Sequence, residues 1–153
     1  MKTLETSRLI LRDWRMTDIG CEVFDESTIR YLIDAKNNYA VVLKDHDIVI
    51  GTIGLSEDAD GNPDRRNVGI RLLEPYQNKG LMSEALECVI RHAGEITVEL
   101  SYLCRCDDQR SRHIAEKFGF QYVKTFDHIQ KRPTDRPENF CYYIRKIFGD
   151  STL

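Results

Sequence analysis

The segment that most constrains the fold reads Leu72-Leu73-Glu74-Pro75-Tyr76-Gln77-Asn78-Lys79-Gly80-Leu81-Met82-Ser83-Glu84-Ala85-Leu86. It is typical of a strand end, a tight turn containing Gly80, and the start of an amphipathic helix. The first N–H groups of a helix have no partner within it, and the helix dipole adds positive charge there. Such a junction binds anions, most often phosphate or pyrophosphate. The segment therefore predicts a backbone site for a phosphorylated small molecule.

Length and composition predict one globular domain over residues 1–153. Hydrophobic residues make up 41% of the 153 residues, enough for one buried core. A net charge of −3 gives no electrostatic footprint for nucleic acid or for an anionic membrane. No apolar run approaches the roughly 18 residues that span a bilayer, and the N-terminus does not resemble a signal peptide. We therefore expect no nucleic-acid or membrane partner, and five cysteines without an export signal indicate free thiols in the cytoplasm.

Hydrophobic periodicity and turn residues predict the order of helices and strands. Thr17 and Asp18 are expected to cap a first helix over 19–24, with 32 as its furthest end. Two further helices are expected, one from 81 and one over 109–118. Strands are expected at 8–12, 39–44, 48–55, 68–73, 97–104, 120–126 and 140–147. This order predicts an α/β (α+β) fold with a mixed sheet of about seven strands and helices on both faces.

Three motifs stand in a recognisable order along the chain. The central motif reads Gln77-Asn78-Lys79-Gly80-Leu81-Met82, and it is flanked by the opening 4–12 and by the helix end 111–120. The central motif resembles the Gln/Arg-x-x-Gly-x-Gly/Ala pattern of the GNAT superfamily of acyl-CoA-dependent N-acetyltransferases. The two flanking segments are similar to those of its RimJ and RimL branch, which acetylates ribosomal proteins. The resemblance covers residues 4–147 and implies the GNAT fold, whose sheet is splayed at the acetyl-CoA site.

The resemblance implies that acetyl-CoA is the cosubstrate and that the central motif binds its pyrophosphate. The residues expected to contact the pyrophosphate are Gln77, Asn78, Lys79, Gly80, Leu81, Met82 and Ser83. Gly80 has a physical reason to be glycine, because it permits positive φ and a close backbone approach. The pantetheine arm is expected along Ile70, Arg71 and Leu72. A backbone N–H of this strand is expected to stabilise the oxyanion that forms when an amine attacks the thioester directly.

The chain departs from the family pattern at Met82, Asp108 and Ala115. Met82 replaces a Gly or Ala, and Asp108 replaces an Asn that contacts pantetheine in many members. Ala115 replaces the Tyr that serves many members as the general acid. Ser111 is therefore the first candidate for the catalytic residue that protonates the leaving thiolate. Ser111 and Asp108 are also expected to bind the cofactor.

For the other proton-transfer groups the sequence leaves several candidates. Cys106 and Tyr76 are alternative acids, and Glu57, Glu99 and Asp107 are alternative bases if their side chains face the cleft. An α-amine with a pKa near about 8 needs little help from a base, whereas a lysine amine near about 10.4 needs more.

No metal site is predicted. Cys104 and Cys106 form one Cys-x-Cys pair without the second pair that a zinc site needs. The acidic loop 57–64 lacks the glutamate expected at the end of a calcium-binding loop.

The predicted function is transfer of the acetyl group of acetyl-CoA to a primary amine. The acceptor is either a protein N-terminal amine or a small-molecule amine. The alternative is a non-catalytic acyl-CoA-binding module, a sensor or partner subunit, because the acid tyrosine is missing. Either form is expected to be a monomer or a homodimer.

Overall fold

The computed structural model describes residues 1–130 and 132–147, which contain eight strands and three helices. The strands are β1 Leu4–Glu5, β2 Leu9–Asp13, β3 Asn38–Leu43, β4 Ile48–Glu57, β5 Arg65–Leu72, β6 Glu99–Arg105, β7 Gln121–Ile129 and β8 Glu138–Lys146. The helices are α1 Glu26–Ala35, α2 Leu81–His92 and α3 Gln109–Lys117. None of these helices is long and apolar enough to cross a bilayer.

The strands form a mixed sheet in the order β1-β2-β3-β4-β5-β6-β8-β7. Strands β5 and β6 are parallel, from Arg65 opposite Glu99 to Val68 opposite Tyr102. The pairs β1–β2, β2–β3, β3–β4, β6–β8 and β7–β8 are antiparallel. This architecture confirms the predicted fold class. It has eight strands instead of about seven, because Leu4–Glu5 adds a short strand that pairs with β2.

Contacts within the chain define two compact units. The first contains Met1–Ser56 and Gly69–His92, and the second contains Glu57–Val68 and the described residues from 93 onward. Strand β5 is divided between them after residue 68. The expectation of one domain over residues 1–153 stays a prediction.

The core of the first unit is built around one tryptophan. Trp14 is buried with Val23, Ile29, Leu32 and Ala40. Ile29 and Leu32 are three residues apart on α1, so they lie on the same face of that helix. This spacing explains why α1 packs with one apolar face on the core while its other face carries charged residues.

The first helix begins later than predicted, and the expected helix over 19–24 is wrong. Helix α1 starts at Glu26, and the Asp25 carboxylate accepts a backbone N–H three residues later at 2.9 Å. Asp18 lies in a short 3-10 turn, and its carboxylate pairs with the buried Arg12 guanidinium at 2.9 Å. Gly20 then has a φ of 103°, which interrupts any helix there.

The core of the second unit is aromatic. Tyr102 on β6 lies opposite Tyr143 on β8, and their ring centroids are 6.4 Å apart in an edge-on arrangement. Phe120 packs against Tyr102 with a centroid separation of 5.6 Å. Ala115 of α3 is fully buried. Because a small residue lies at this point, α3 packs closely within its unit.

Candidate functional site

The loop that joins β5 to α2 contains two residues in the left-handed conformation. Asn78 has a φ of 62° and Gly80 a φ of 76°. Asn78, Lys79 and Gly80 are all exposed. Left-handed residues in such turns aim successive N–H groups toward one concave side, which suits an anion. The loop therefore has the backbone geometry that the sequence predicts for an anion site.

Helix α2 begins directly after this loop. The Glu84 N–H donates to the Gly80 carbonyl at 3.1 Å, which is the first hydrogen bond of the helical ladder. The amides of Leu81, Met82 and Ser83 precede that bond and are the N-terminal donors of the helix. Leu81 is buried, whereas Met82 and Ser83 are half-buried. The positive end of the helix dipole thus follows the loop without a gap.

Two side chains hold the shape of the loop. The Gln77 amide Nε2 donates to the Leu72 carbonyl at 2.9 Å, so this motif side chain ties the loop to the end of β5. The Arg8 guanidinium donates from Nη1 to the Lys79 carbonyl at 3.0 Å. Arg8 also donates from Nε to the Glu84 carboxylate at 2.8 Å. The opening motif of the chain therefore braces the loop and the first turn of α2.

The Glu84 carboxylate is the anchor of this brace. Its oxygens accept hydrogen bonds from the Thr6 hydroxyl and from the Arg8 backbone N–H, in addition to the Arg8 side chain. Burial on its own would raise the pKa of Glu84, but these hydrogen bonds outweigh it and lower the pKa below its usual value. The carboxylate is therefore ionised at neutral pH and compensates the Arg8 charge.

The residues at the end of β5 differ in exposure, and Arg71 is the exposed one. Leu72 is buried, and the Arg71 guanidinium lies over the Phe24 ring at 5.3 Å from its centroid. Ile70 is half-buried. A Cβ atom placed on Gly51 would lie 2.3 Å from the Arg71 carbonyl oxygen, so this glycine permits close approach of β4 and β5. Sequence reasoning missed Gly51, although a glycine inside a strand is a known signal of close backbone approach.

In the second unit, Asp108 and Ser111 are bonded to each other at the start of α3. Asp108 is the N-cap, and its carboxylate accepts the Ser111 N–H at 3.1 Å and the Ser111 hydroxyl at 2.9 Å. Burial raises the pKa of the nearby Tyr102 phenol to about 12. Asp108 and Ser111 therefore form a bonded polar pair, and the phenol of Tyr102 stays protonated at neutral pH.

A cavity of about 580 Å³ adjoins Asp108 and Ser111 within the second unit. Cys104 and Phe140 line it from β6 and β8. The remaining lining residues are Leu103, Arg105, Ile129, Arg132, Thr134, Asp135, Arg136 and Glu138. The cavity is large enough for a small ligand group, and its polar lining carries charges of both signs.

The alternative acids and bases lie in varied surroundings. The Cys106 sulfur lies 2.7 Å from the Cys141 sulfur, and Tyr76 is half-buried in a 3-10 turn. Glu99 pairs with Arg65 at 3.3 Å, and the exposed Asp107 pairs with an arginine at 3.5 Å. Glu57 is exposed. Within residues 1–130 and 132–147, no group of three or more His, Cys, Asp or Glu side chains is arranged to hold a metal ion.

Sequence reasoning also missed a buried carboxylate in the loop after β4. The Asp58 side chain is fully buried and accepts hydrogen bonds from the Tyr142 hydroxyl and the Arg65 guanidinium. Burial would raise the pKa of Asp58, but hydrogen bonds led by that of Tyr142 outweigh it and lower the pKa. The same burial and the bond to Asp58 raise the pKa of Tyr142 to about 12. This network stabilises the acidic loop from within through Asp58.

The loop from Gln77 to Gly80 and the start of α2 fit a pyrophosphate. The donors are backbone N–H groups, and the exposed Lys79 side chain adds positive charge. A Cβ atom on Gly80 would lie at an ordinary contact distance of 3.4 Å from Arg8 Nη2, so glycine is favoured there by its φ of 76° and not by lack of space.

The family model of the GNAT acetyltransferase domain matches residues 21–121 of this chain. The chain belongs to the GNAT acetyltransferase family. The matched range contains the loop, α2, β6 and α3, and therefore both groups of candidate residues. No curated protein matches the chain.

Solved GNAT structures have the same fold at low sequence identity. The acetyltransferase from Bacillus anthracis is 18% identical, with a TM-score of 0.77 over 95% of this chain and 99% of that chain. The ribosomal-protein-S5-alanine acetyltransferase from Vibrio fischeri is 14% identical, with a TM-score of 0.78 over 97% and 98%. RimL, the ribosomal L7/L12 alpha-N-protein acetyltransferase, in complex with coenzyme A, is 15% identical, with a TM-score of 0.76 over 95% and 98%. These likenesses establish the GNAT fold of this chain.

Proposed function

We propose that this protein transfers the acetyl group of acetyl-CoA to a primary amine. The observation that carries the proposal is the loop with Asn78 and Gly80 in the left-handed conformation, directly before the start of α2. This arrangement lies in a chain that belongs to the GNAT acetyltransferase family. RimL, a structural relative, was solved with coenzyme A.

In this proposal the loop binds the pyrophosphate of acetyl-CoA. The amides from Asn78 to Met82 donate to the phosphate oxygens, with the Ser83 hydroxyl beside them. Gln77 positions the loop through its bond to the Leu72 carbonyl rather than through a direct contact. Arg8 braces the loop through the Lys79 carbonyl, while its charge is paired with Glu84.

The pantetheine arm is assigned to the backbone at the end of β5. Ile70 and Leu72 offer backbone groups there, while the Arg71 side chain is directed to Phe24. Acetyl-CoA supplies an activated thioester, which the acceptor amine attacks directly. A β5 backbone N–H donates to the oxyanion that develops at the carbonyl.

Ser111 is proposed to return a proton to the leaving thiolate. A thiolate with a pKa near about 8.5 needs only a weak acid. Burial raises the pKa of Tyr102 to about 12, which keeps its phenol protonated, and this phenol is proposed to replace the proton. Asp108 orients the serine by accepting its backbone N–H, and in the proposed step the Ser111 hydroxyl turns from Asp108 to the thiolate to give up its one proton.

The binding step is tested with a matched pair of glycine variants. Gly80→Glu places a bulky anion at a φ of 76° in the loop, whereas Gly61→Glu places the same side chain at a φ of 75° in open space elsewhere. Calorimetric titration with acetyl-CoA and with coenzyme A should give micromolar binding for the wild type and for Gly61→Glu. Gly80→Glu should lose binding. Equal affinity of the two variants would remove the loop from the site.

The catalytic step is tested by release of coenzyme A thiol. The purified protein is incubated with acetyl-CoA and a panel of peptides with free N-terminal amines and of small amines. Amine-dependent thiol release, with the acetylated product identified by mass spectrometry, supports the transferase. Thiol release that is independent of every amine contradicts it.

The second candidate is an acyl-CoA-binding module without turnover, a sensor or partner subunit. It is favoured by Ala115, which is fully buried at the position where many relatives carry an acid tyrosine. The bond of the Ser111 hydroxyl to Asp108 points the same way, since it occupies the proposed acid. Tight binding of acetyl-CoA with no turnover across the amine panel would favour this candidate.

We place the activity in the RimJ/RimL-like branch and in the cytoplasm. The branch rests on the opening and helix-end motifs and on structural relatives that acetylate ribosomal proteins. The location rests on five free cysteines, at 21, 88, 104, 106 and 141. Partners are acetyl-CoA and the acceptor amine, without nucleic acid or membrane, and the assembly is a monomer or a homodimer. Sedimentation velocity checks the assembly.

A further inference from the structure

Two cysteines of the second unit have their sulfur atoms in contact. Cys106 follows the last residue of β6, and Cys141 lies within β8. Their sulfur atoms are 2.7 Å apart. The Cys106 N–H donates to the Asn139 carbonyl at 2.9 Å, which keeps this segment paired with β8 beyond the end of β6. The contact is therefore set by backbone pairing on both sides.

The register separates this pair from a third cysteine. Cys104 is the direct cross-strand partner of Cys141, but the sulfur contact of Cys141 is with Cys106. Cys106 is half-buried, whereas Cys104 and Cys141 are 7% and 3% exposed. A reagent in solution therefore reaches Cys106 first, and Cys141 is placed to act as its resolving thiol.

We propose that Cys106 and Cys141 form a reversible intramolecular disulfide by exchange with a small disulfide such as oxidised glutathione. A covalent sulfur–sulfur bond is about 2.05 Å long, so the two atoms need to approach each other by less than about 1 Å. In this proposal the other three cysteines of the chain remain free thiols. The pair is a modification site that neither the family membership nor the proposed acetyl transfer requires.

The exchange proceeds in two balanced steps. The Cys106 thiolate attacks one glutathione sulfur, which breaks the glutathione disulfide, releases one glutathione thiolate and leaves a mixed disulfide on Cys106. The Cys141 thiolate then attacks the Cys106 sulfur and releases the second glutathione thiolate. Two protein thiols are oxidised and one glutathione disulfide is reduced to two thiols, while the two protein protons pass to the released thiolates.

The disulfide would fix the segment that leads into α3. Cys106 lies two residues before Asp108, the N-cap that holds Ser111. A covalent bond to β8 would restrict this entry to α3 in the oxidised protein. Burial, followed by the contact with Cys141, raises the pKa of the Cys106 thiol, so exchange is slow at neutral pH and is followed to equilibrium.

The test uses the whole folded protein in glutathione redox buffers. Samples are quenched with acid, free thiols are alkylated, and the cross-linked peptides are identified by mass spectrometry. The expected product is a Cys106–Cys141 cross-link, at least tenfold more abundant than any cross-link that contains Cys21 or Cys88. Reducing buffer should return the protein to five alkylated thiols.

Three serine variants separate the outcomes. Cys104→Ser should form the cross-link like the wild type, and Cys106→Ser should form none. Cys141→Ser should accumulate the mixed glutathione disulfide on Cys106, because the resolving thiol is gone. If Cys141→Ser does not fold, the peptide map of the wild type and the half-buried Cys106→Ser variant still decide. A Cys104–Cys141 cross-link, a stable glutathione adduct on wild-type Cys106, or five free thiols at every buffer ratio would each overturn the proposal.

Discussion

Removing the Arg8 guanidinium should loosen the loop that precedes α2 and weaken the binding of acetyl-CoA. Arg8→Ala removes the 2.8 Å ion pair with Glu84 and the 3.0 Å hydrogen bond to the Lys79 carbonyl. Arg8 is 45% and Glu84 20% exposed, so the half-solvated ion pair contributes about 0.5–1 kcal/mol. The bond to the carbonyl adds about 1 kcal/mol. The free energy of unfolding should therefore fall by about 1.5–2 kcal/mol.

The same loss sets the size of the binding effect. If the unbraced loop holds its binding geometry only part of the time, the apparent affinity falls by that fraction. A loss of about 1.5–2 kcal/mol corresponds to about 10- to 30-fold weaker binding. Calorimetric titration with acetyl-CoA measures the affinity, and urea unfolding measures stability independently of any ligand.

Two further variants show whether the effect comes from bracing or from charge. Arg91→Ala removes another arginine of the first unit, whose pair with Glu87 is highly exposed, and it should change stability and affinity little. Arg8→Lys keeps the charge but loses the planar fork, so it should lie between wild type and Arg8→Ala. Affinity and stability of Arg8→Ala equal to those of Arg91→Ala would refute the bracing argument. Wild-type affinity in Arg8→Lys would reduce the role of Arg8 to its charge.

Three other outcomes are expected from substitutions elsewhere. Ser111→Ala should lower amine-dependent thiol release at saturating acetyl-CoA about 10- to 100-fold, and unchanged turnover would exclude Ser111 as the acid. Gly51→Val should lower the free energy of unfolding in urea by about 1–3 kcal/mol or more, because its Cβ would lie 2.3 Å from the Arg71 carbonyl, and full stability would contradict that contact. Asp18→Asn should cost about 3–5 kcal/mol at neutral pH, because it leaves the buried Arg12 uncompensated. Burial opposes ionisation of Asp18, but its bond to Arg12 lowers its pKa below 3.8, so this stability is present above pH 3.8 and is lost as pH falls through the lowered pKa. In an acid titration, the Asp18→Asn variant should not show the loss of stability that protonation of Asp18 causes in the wild type.

The loop and its helix could be predicted from the sequence because their signals are local. The glycine, the proline before it and the apolar period after it all lie within one short segment. Gly80 has the positive φ that its position in the motif predicts. The fold class could be predicted in the same way, from the turn residues and the hydrophobic periodicity of each segment along the chain.

The features that the sequence did not predict depend on distant partners. Asp18 is a residue type that often caps helices, but its carboxylate is bonded to Arg12 of the preceding strand. The helix therefore starts at Glu26 instead. Arg8 reads as a strand residue, and its partners in the loop and in α2 lie more than 70 residues away. Ser111 could be chosen from the motif, but the bond of its hydroxyl to Asp108 could not, because it needs the folded start of α3.

Because Arg8 and Glu84 are bonded to each other, substitutions at these two positions are expected to be correlated in evolution. A lineage that replaces Glu84 leaves an arginine without its carboxylate, and selection should then replace that arginine as well. Related sequences are thus expected to keep or lose the two residues together, while neighbouring exposed positions drift independently. The brace also sets an order in folding, because closing so long a stretch of chain costs entropy before the contact forms. The turn before α2 would acquire its final shape only after the opening segment has packed against it.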